Sequence, residues 1–200
     1  MNHPDSLFDA FMYPLEVLSL NRTRRRLIAR ARGDVLEIGA GTGANLSYYD
    51  RDQVRSIALT DLSIGQKLRE RAARFQSSRE NARGTPVYVR AANAMQLPFP
   101  DDSFDTVVVT LVFCSVPDQA VGFAEIRRVL RPAGRLLFIE HVRPHNAARH
   151  LVDRLNPLWF RVTRECNINR DTAGAMRATG FQFDELTVGG KGFLIHGVAR

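Results

Sequence analysis

Residues 33–45 read GDVLEIGAGTGAN. Val35, Leu36 and Ile38 form a short apolar run bounded by turn residues, the pattern of a buried parallel strand ending at Glu37 and Ile38. Glycines follow at 39, 41 and 43, with only Ala40 and Thr42 between them, so a ligand can lie directly on the main chain. A strand, a glycine turn and a helix expected to open near Gly43 and run to about Asp50 make the nucleotide site of a doubly wound α/β sheet. That site lies at the carboxyl end of the first strand.

Two nucleotides compete for the turn. Gly39, Gly41 and Ala44 satisfy the dinucleotide pattern G-x-G-x-x-A, and Asp61 stands about 20 residues further on, where a ribose-binding acid belongs. That pattern alone reads as an NAD oxidoreductase. Glu37 opposes it, because a carboxylate just before the first glycine repels a pyrophosphate and suits a ligand carrying a sulfonium and an ammonium group. Gly43 also opens the turn further than a dinucleotide needs. The pattern acid-x-Gly-x-Gly-x-Gly resembles the first motif of class I S-adenosylmethionine (SAM) methyltransferases.

The chain's 200 residues, 44% of them hydrophobic and 24% charged, fit one domain with a sizeable core and leave no room for a separate substrate domain. Asp5 and Asp9 come too early for a signal peptide, and no apolar run reaches the ~18 residues of a membrane span, so a cytoplasmic protein is expected. Cys114 and Cys166 stand far apart in the chain and match no metal or redox spacing, which reads as two free buried thiols and no metal. The net charge of +7 makes an anionic partner plausible without naming one.

Residues 1–32 read as a helical lid, with Leu7, Phe11, Leu15, Leu18, Leu27 and Ile28 at roughly helical spacing and a division at Pro14 and residues 19–21. Arg22, Arg24, Arg25, Arg26, Arg30 and Arg32 are either a solvated face or a contact with anionic lipid at the inner membrane surface. Nucleic acid is not expected, since no aromatic residues interleave with these arginines. Strands are predicted over 55–60, 86–90 and 104–112, and helices over 63–77 and 118–130. Pro132 and Gly134 stop the last of these before a fifth strand reaching His141. Residues 142–180 are expected to form a helical cap, one helix broken at Pro157 and a second over 170–179. An antiparallel hairpin over 181–188 and 193–199 completes a seven-stranded, mostly parallel sheet.

The stretch AANAMQLPFPDDSFD at 91–105 resembles the third-strand signature of the type 11 group of class I methyltransferases, and the helix, RVLRPAG turn and strand over 128–139 resemble the same group. In that family an acid at the third strand meets the adenine amino group. Asn93 replaces it here, and its carbonyl oxygen can still accept that hydrogen bond. The resemblance assigns the SAM site to Glu37, Gly39, Ala40, Gly41, Gly43, Asn45, Asp61, Leu62, Asn93, Ala94, Met95 and Leu111. TLVFCSVPD, IEHV and NPLWFRVTRECNINRDT resemble the methyltransferase-like 7 group of alkyl thiol methyltransferases, with Cys166, Asn167 and Arg170 the most specific part.

The resemblance implies methyl transfer to a small, fairly apolar acceptor, a thiol among them. Alternatives are a phospholipid N-methyltransferase and, in other classes, an NAD oxidoreductase or a SAM-binding protein without activity. His141, at the end of the fifth strand, is the candidate general base, Glu140 would orient a group in the pocket, and Arg170 and Asp171 would pair to hold the cap.

Overall fold

The computed structural model describes residues 20–78, 84–144, 149–163 and 166–200, with Lys191 described in its backbone alone. The first part of the expected lid, with Leu7, Phe11, Pro14, Leu15 and Leu18, and short pieces of the 80–85 loop and of the cap lie outside the described residues. The order of elements is α1 (Asn21–Ile28), β1 (Gly33–Ile38), a short 3-10 turn (Leu46–Tyr48), β2 (Val54–Asp61), α2 (Gln66–Ser77), β3 (Val87–Ala91) and β4 (Phe104–Thr110). Then come α3 (Gln119–Val129), β5 (Leu130–His141), α4 (Arg149–Thr163), α5 (Thr172–Ala178), β6 (Phe183–Gly189) and β7 (Leu194–Ala199).

The sheet order is β3-β2-β1-β4-β5-β7-β6. β1 to β5 pair in parallel, and β7 runs antiparallel between β5 and β6. The expected hairpin is present, and its second strand is the one inserted beside β5. Alternation along the central strands divides the core into two faces. Leu36, Ile38, Val107, Val109, Leu136 and Phe138 pack with Phe123, Ile126 and Val129 of α3 and Met176 of α5. Val35, Ile57, Leu59, Val108, Leu137 and Ile139 pack with Leu27 and Ile28 of α1 and Leu68 and Phe75 of α2.

Two expectations about β5 and the cap differ from the structure. β5 begins directly at the end of α3, and residues 131–134 are accommodated by a register irregularity between the Phe104–Leu130 and Thr106–Arg135 pairs rather than by a turn before the strand. Helix α4 continues through Pro157. Pro157 is exposed, so the carbonyl of Asp153, which its ring deprives of a donor, lies on a side of the helix that water can reach.

Register fixes the site. Ile38 pairs with both Thr60 and Val109, which levels the carboxyl ends of β1, β2 and β4. Main-chain bonds from Ala40 N–H to Thr60 O (2.9 Å) and from Leu111 N–H to Ile139 O (2.7 Å) then tie the outgoing loops to the neighbouring strand ends.

Candidate active site

All three glycines of the turn have left-handed backbones, with φ of 66° at Gly39, 54° at Gly41 and 77° at Gly43. A Cβ on Gly39 would stand 2.4 Å from a Val112 methyl, so packing demands that glycine, and one on Gly43 would press on the Leu68 methyl at 3.0 Å. A Cβ on Gly41 would meet nothing within 4 Å. The turn is therefore open at Gly41, where a ligand can approach the bare backbone. The expected helix after the turn is absent. The left-handed glycines allow only turns and the 3-10 segment at 46–48, and Tyr49 is already extended.

Beneath the turn lies a buried polar cluster. Glu37 is 1% exposed. It accepts hydrogen bonds from Asn45 Nδ2 (3.0 Å) and from Tyr49 Oη (2.5 Å). Asn45 also donates to Thr110 Oγ1 (3.1 Å) and accepts from Arg24 Nη1 (3.1 Å). Burial pushes the Glu37 carboxyl up to about 7, against the pull of Tyr49, Asn45 and the Arg24 charge. Glu37 and Asn45 thus sit under the turn and not on its open side, where their hydrogen bonds tie β1, the turn and β4 together. Sequence reasoning missed Arg24 and Tyr49. Arg24 did carry a signal, because Arg24, Leu27, Ile28 and Ala31 fall on one buried stripe at helical spacing.

On the open side, Asp61 Oδ2 accepts from the Gly41 N–H at 2.8 Å, and Leu62 beside it is 75% exposed. At the end of β3, exposed Asn93 turns its carbonyl oxygen onto the Met95 N–H (2.9 Å), with Ala94 buried and Met95 half-buried behind it. One lone pair of that oxygen is therefore engaged, and the second is what an adenine amine would use. Bare backbone at Gly41, an acid at β2, an exposed leucine and an amide at β3 fit a nucleoside with a polar ribose and a flat base.

The ends of β4 and β5 form the other half of the site. Leu111 has φ 59°, an uncommon value for a residue with a side chain, and it turns the chain sharply out of β4. Glu140 is fully buried and accepts from the Val112 N–H (3.0 Å) and the Phe113 N–H (3.1 Å), so it clamps that turn instead of orienting a group in the pocket. Burial raises it to about 7, with the two N–H groups opposing.

Above the turn, the Asn167 N–H donates to Cys114 O (3.0 Å) and Asn156 Nδ2 to Asn167 Oδ1 (3.1 Å). Arg170 and Asp171 serve separate partners: Arg170 donates to Pro117 O (3.4 Å), and Asp171 caps α5 by accepting from Gly174 N–H (2.9 Å).

This folding brings together residues that the sequence left apart. The ligand atoms of Cys114, His141 and Cys166 all lie within 4.8 Å of one another. Both cysteines are buried and His141 is half-buried. A hydrogen bond from Cys114, with His141 and Trp159 adding to it, holds the Cys166 thiol down to about 5 against the effect of burial, and Cys114 is correspondingly raised. No spacing rule could have found this cluster, since it joins a β4 turn, a β5 end and the chain after α4.

The family profile described as a methyltransferase domain matches residues 36–138. Thiol S-methyltransferase TMT1A of Homo sapiens is 30% identical over 149 residues, 74% of this chain and 59% of its own length. Phosphatidylethanolamine N-methyltransferase of Cereibacter sphaeroides is 34% identical over 121 residues, 60% of this chain and 56% of its own. The chain thus spans less than two thirds of either relative. Among solved structures, an S-adenosylmethionine dependent methyltransferase from Mesorhizobium loti superposes with a TM-score of 0.68 at 18% identity, covering 90% of this chain and 96% of that one, a likeness of fold.

Proposed function

The chain belongs to the methyltransferase-domain family, whose methyl donor is S-adenosylmethionine, and on that premise we propose that it methylates the sulfur of a small, fairly apolar thiol. The observation that carries methyl transfer is the open backbone at Gly41 bonded to Asp61. The thiol as acceptor rests on the activity for which the TMT1A relative is named and on the sulfur-rich half of the site.

In this reading Asp61 accepts the ribose hydroxyls, Leu62 and Met95 hold the base between apolar surfaces, and Asn93 accepts from its amine. Ala40, Gly39 and Gly43 shape the backbone around Gly41, and buried Glu37 lies beneath the donor's cationic end, whose charge would favour its ionised form. When bound, SAM supplies a methyl carbon activated by its sulfonium charge. The acceptor's sulfur would bond to that carbon as the old carbon–sulfur bond breaks, its electron pair staying with the donor, and the thiol proton would pass to solvent. Leu111 and the Glu140 clamp position the β4 turn beside the reacting atoms, and His141 with the two cysteines meets the acceptor's S–H end.

The test is transfer from methyl-labelled SAM by the full chain to 1-propanethiol and, in parallel, to phosphatidylethanolamine vesicles. Label in the thioether alone is the expected result. Label in the lipid alone, or in neither, overturns the thiol assignment.

A lipid acceptor is the second reading, favoured by one observation. Leu151, Leu155, Leu158 and Val162 of α4 are exposed and follow one another at helical spacing along one face, with Arg154 and Arg161 nearby on the same helix. We assign contact with an anionic lipid surface to this stripe rather than to α1 and the residues after it, where Arg24 is buried and Arg30 pairs with Glu185. No helix among the described residues is long and apolar enough to cross a membrane. Co-sedimentation with phosphatidylglycerol vesicles that is lost in Leu155→Asp and kept in Arg25→Glu supports the assignment, and the reverse pattern contradicts it.

A further inference from the structure

We propose that Cys114, His141 and Cys166 form a three-ligand site for zinc or a similar borderline-soft divalent cation, with the fourth position open to the sulfur of the acceptor thiol. The proposal rests on the thiol reading above for its acceptor and on the geometry of the cluster for its metal.

Three observations carry it. First, the donor set is two sulfurs and one imidazole nitrogen, all within 4.8 Å of one another. Tetrahedral zinc, with bonds of about 2.3 Å to sulfur and about 2.0 Å to nitrogen, holds such atoms roughly 3.5–3.8 Å apart, so closure needs side-chain movement of only about 1 Å.

Second, His141 Nδ1 is buried and finds no hydrogen-bond partner among the described residues. No protein hydrogen bond therefore holds the ring at Nδ1, and an imidazole lone pair can serve a cation. Third, the site is anchored from outside the donor set. Glu140 clamps the turn that carries Cys114, the main-chain bond from Asn167 N–H to Cys114 O holds the Cys166 segment against it, and His141 is fixed by its place in β5, paired with Leu194.

Two thiolates neutralise a divalent cation, so before the acceptor binds the buried assembly is uncharged with neutral His141, and the acceptor thiolate adds a single negative charge on the metal's open side. Three protein ligands with a vacant fourth position are the arrangement of catalytic rather than structural zinc. The position is placed for the reaction, because the cluster stands at the ends of β4 and β5, next to the strand ends that would hold the donor. An acceptor R–SH that coordinates there loses its proton to solvent and is held as a thiolate. The metal changes no oxidation state, and the sulfur keeps a lone pair for the methyl carbon. His141 then serves the acceptor by holding the metal.

The full chain, stripped with a chelator under reducing conditions, is titrated with Zn2+ and, separately, with Co2+ as a spectroscopic stand-in. The expected result is about one ion per chain and a cobalt–thiolate charge-transfer band that changes when 1-propanethiol is added. Cys166→Ala and His141→Ala are expected to weaken zinc binding by more than ~100-fold, with S-adenosylhomocysteine binding as the check that each variant is folded.

No zinc binding by the native chain overturns the site, and that experiment needs no variant. Zinc binding that survives both substitutions overturns it too. A cobalt spectrum indifferent to the thiol overturns the open fourth position. These results are read without turnover, so they stand apart from the thiol reading, which fails if metal-loaded and metal-stripped chains both leave 1-propanethiol unmethylated.

Discussion

The carboxylate of Asp61 and the amide of Gly41 are joined by a 2.8 Å hydrogen bond, so the acid at the end of β2 holds the glycine turn at the end of β1 before any ligand arrives. One side chain thus preforms the backbone on which the donor would lie and offers its remaining lone pairs to the ribose. Asp61→Ala is expected to weaken SAM binding by roughly 10- to 100-fold, the range of lost charge-assisted hydrogen bonds, with little effect on folding. Equilibrium dialysis with labelled SAM checks the affinity, and an unchanged value contradicts the role.

Gly41 and Gly39 separate binding from packing. Gly41→Ala places a methyl in open space at a left-handed backbone, which costs about 1–2 kcal/mol of stability and obstructs the donor. Gly39→Ala drives a methyl to 2.4 Å from Val112 at a similar backbone, and is expected to cost about 2–4 kcal/mol. Urea unfolding of both variants should rank Gly39→Ala as the less stable, and the opposite order contradicts the packing described.

Glu37 gives the fold a pH dependence of definite sign. Its carboxyl, ordinarily near 4.5, is raised to about 7 in the fold, so the folded state holds the proton more tightly than the unfolded chain does. Its contribution to stability is therefore fully present below pH ~4.5 and lost as pH rises through about 7, on the order of 3 kcal/mol for this group alone. Urea unfolding between those pH values should show a shallower loss of stability in Glu37→Gln than in the native chain. Parallel slopes would contradict it.

Much of this site was legible in the sequence because it is built from local patterns. The glycines, Asp61 and Asn93 each stand at the carboxyl end of a strand, and the α/β alternation places those three ends side by side. What was not legible depends on where side chains turn and what meets across the fold. Glu37 and Glu140 stand at strand ends among apolar core residues, yet both carboxylates are buried and bind donors from the following segments, and no pattern encodes that. Cys114 and Cys166 lie 52 residues apart on separate loops, and the main-chain bond from Asn167 to Cys114 is among the long-range contacts that bring the two segments together. Helix α4 continues past Pro157 because the affected carbonyl is on its wet side, a fact of tertiary placement.

Asn156 links the cap to the site. It is buried, donates to Asn167 Oδ1 (3.1 Å) and accepts from the Ile168 N–H (3.0 Å). Asn156→Ala removes both bonds, about 2 kcal/mol of local stability. Faster hydrogen exchange over residues 166–171 and a raised KM for the acceptor are expected, with S-adenosylhomocysteine affinity kept. Loss of cofactor binding together with acceptor binding would contradict a division of the site into two halves.

The most direct test of the account is calorimetric titration of the full chain with S-adenosylhomocysteine and, separately, with NADH. Binding of S-adenosylhomocysteine, weakened in Asp61→Ala, with no heat from NADH is the result predicted by a glycine turn that cradles a methyl donor. Preferential binding of NADH, or no binding of S-adenosylhomocysteine, would contradict it.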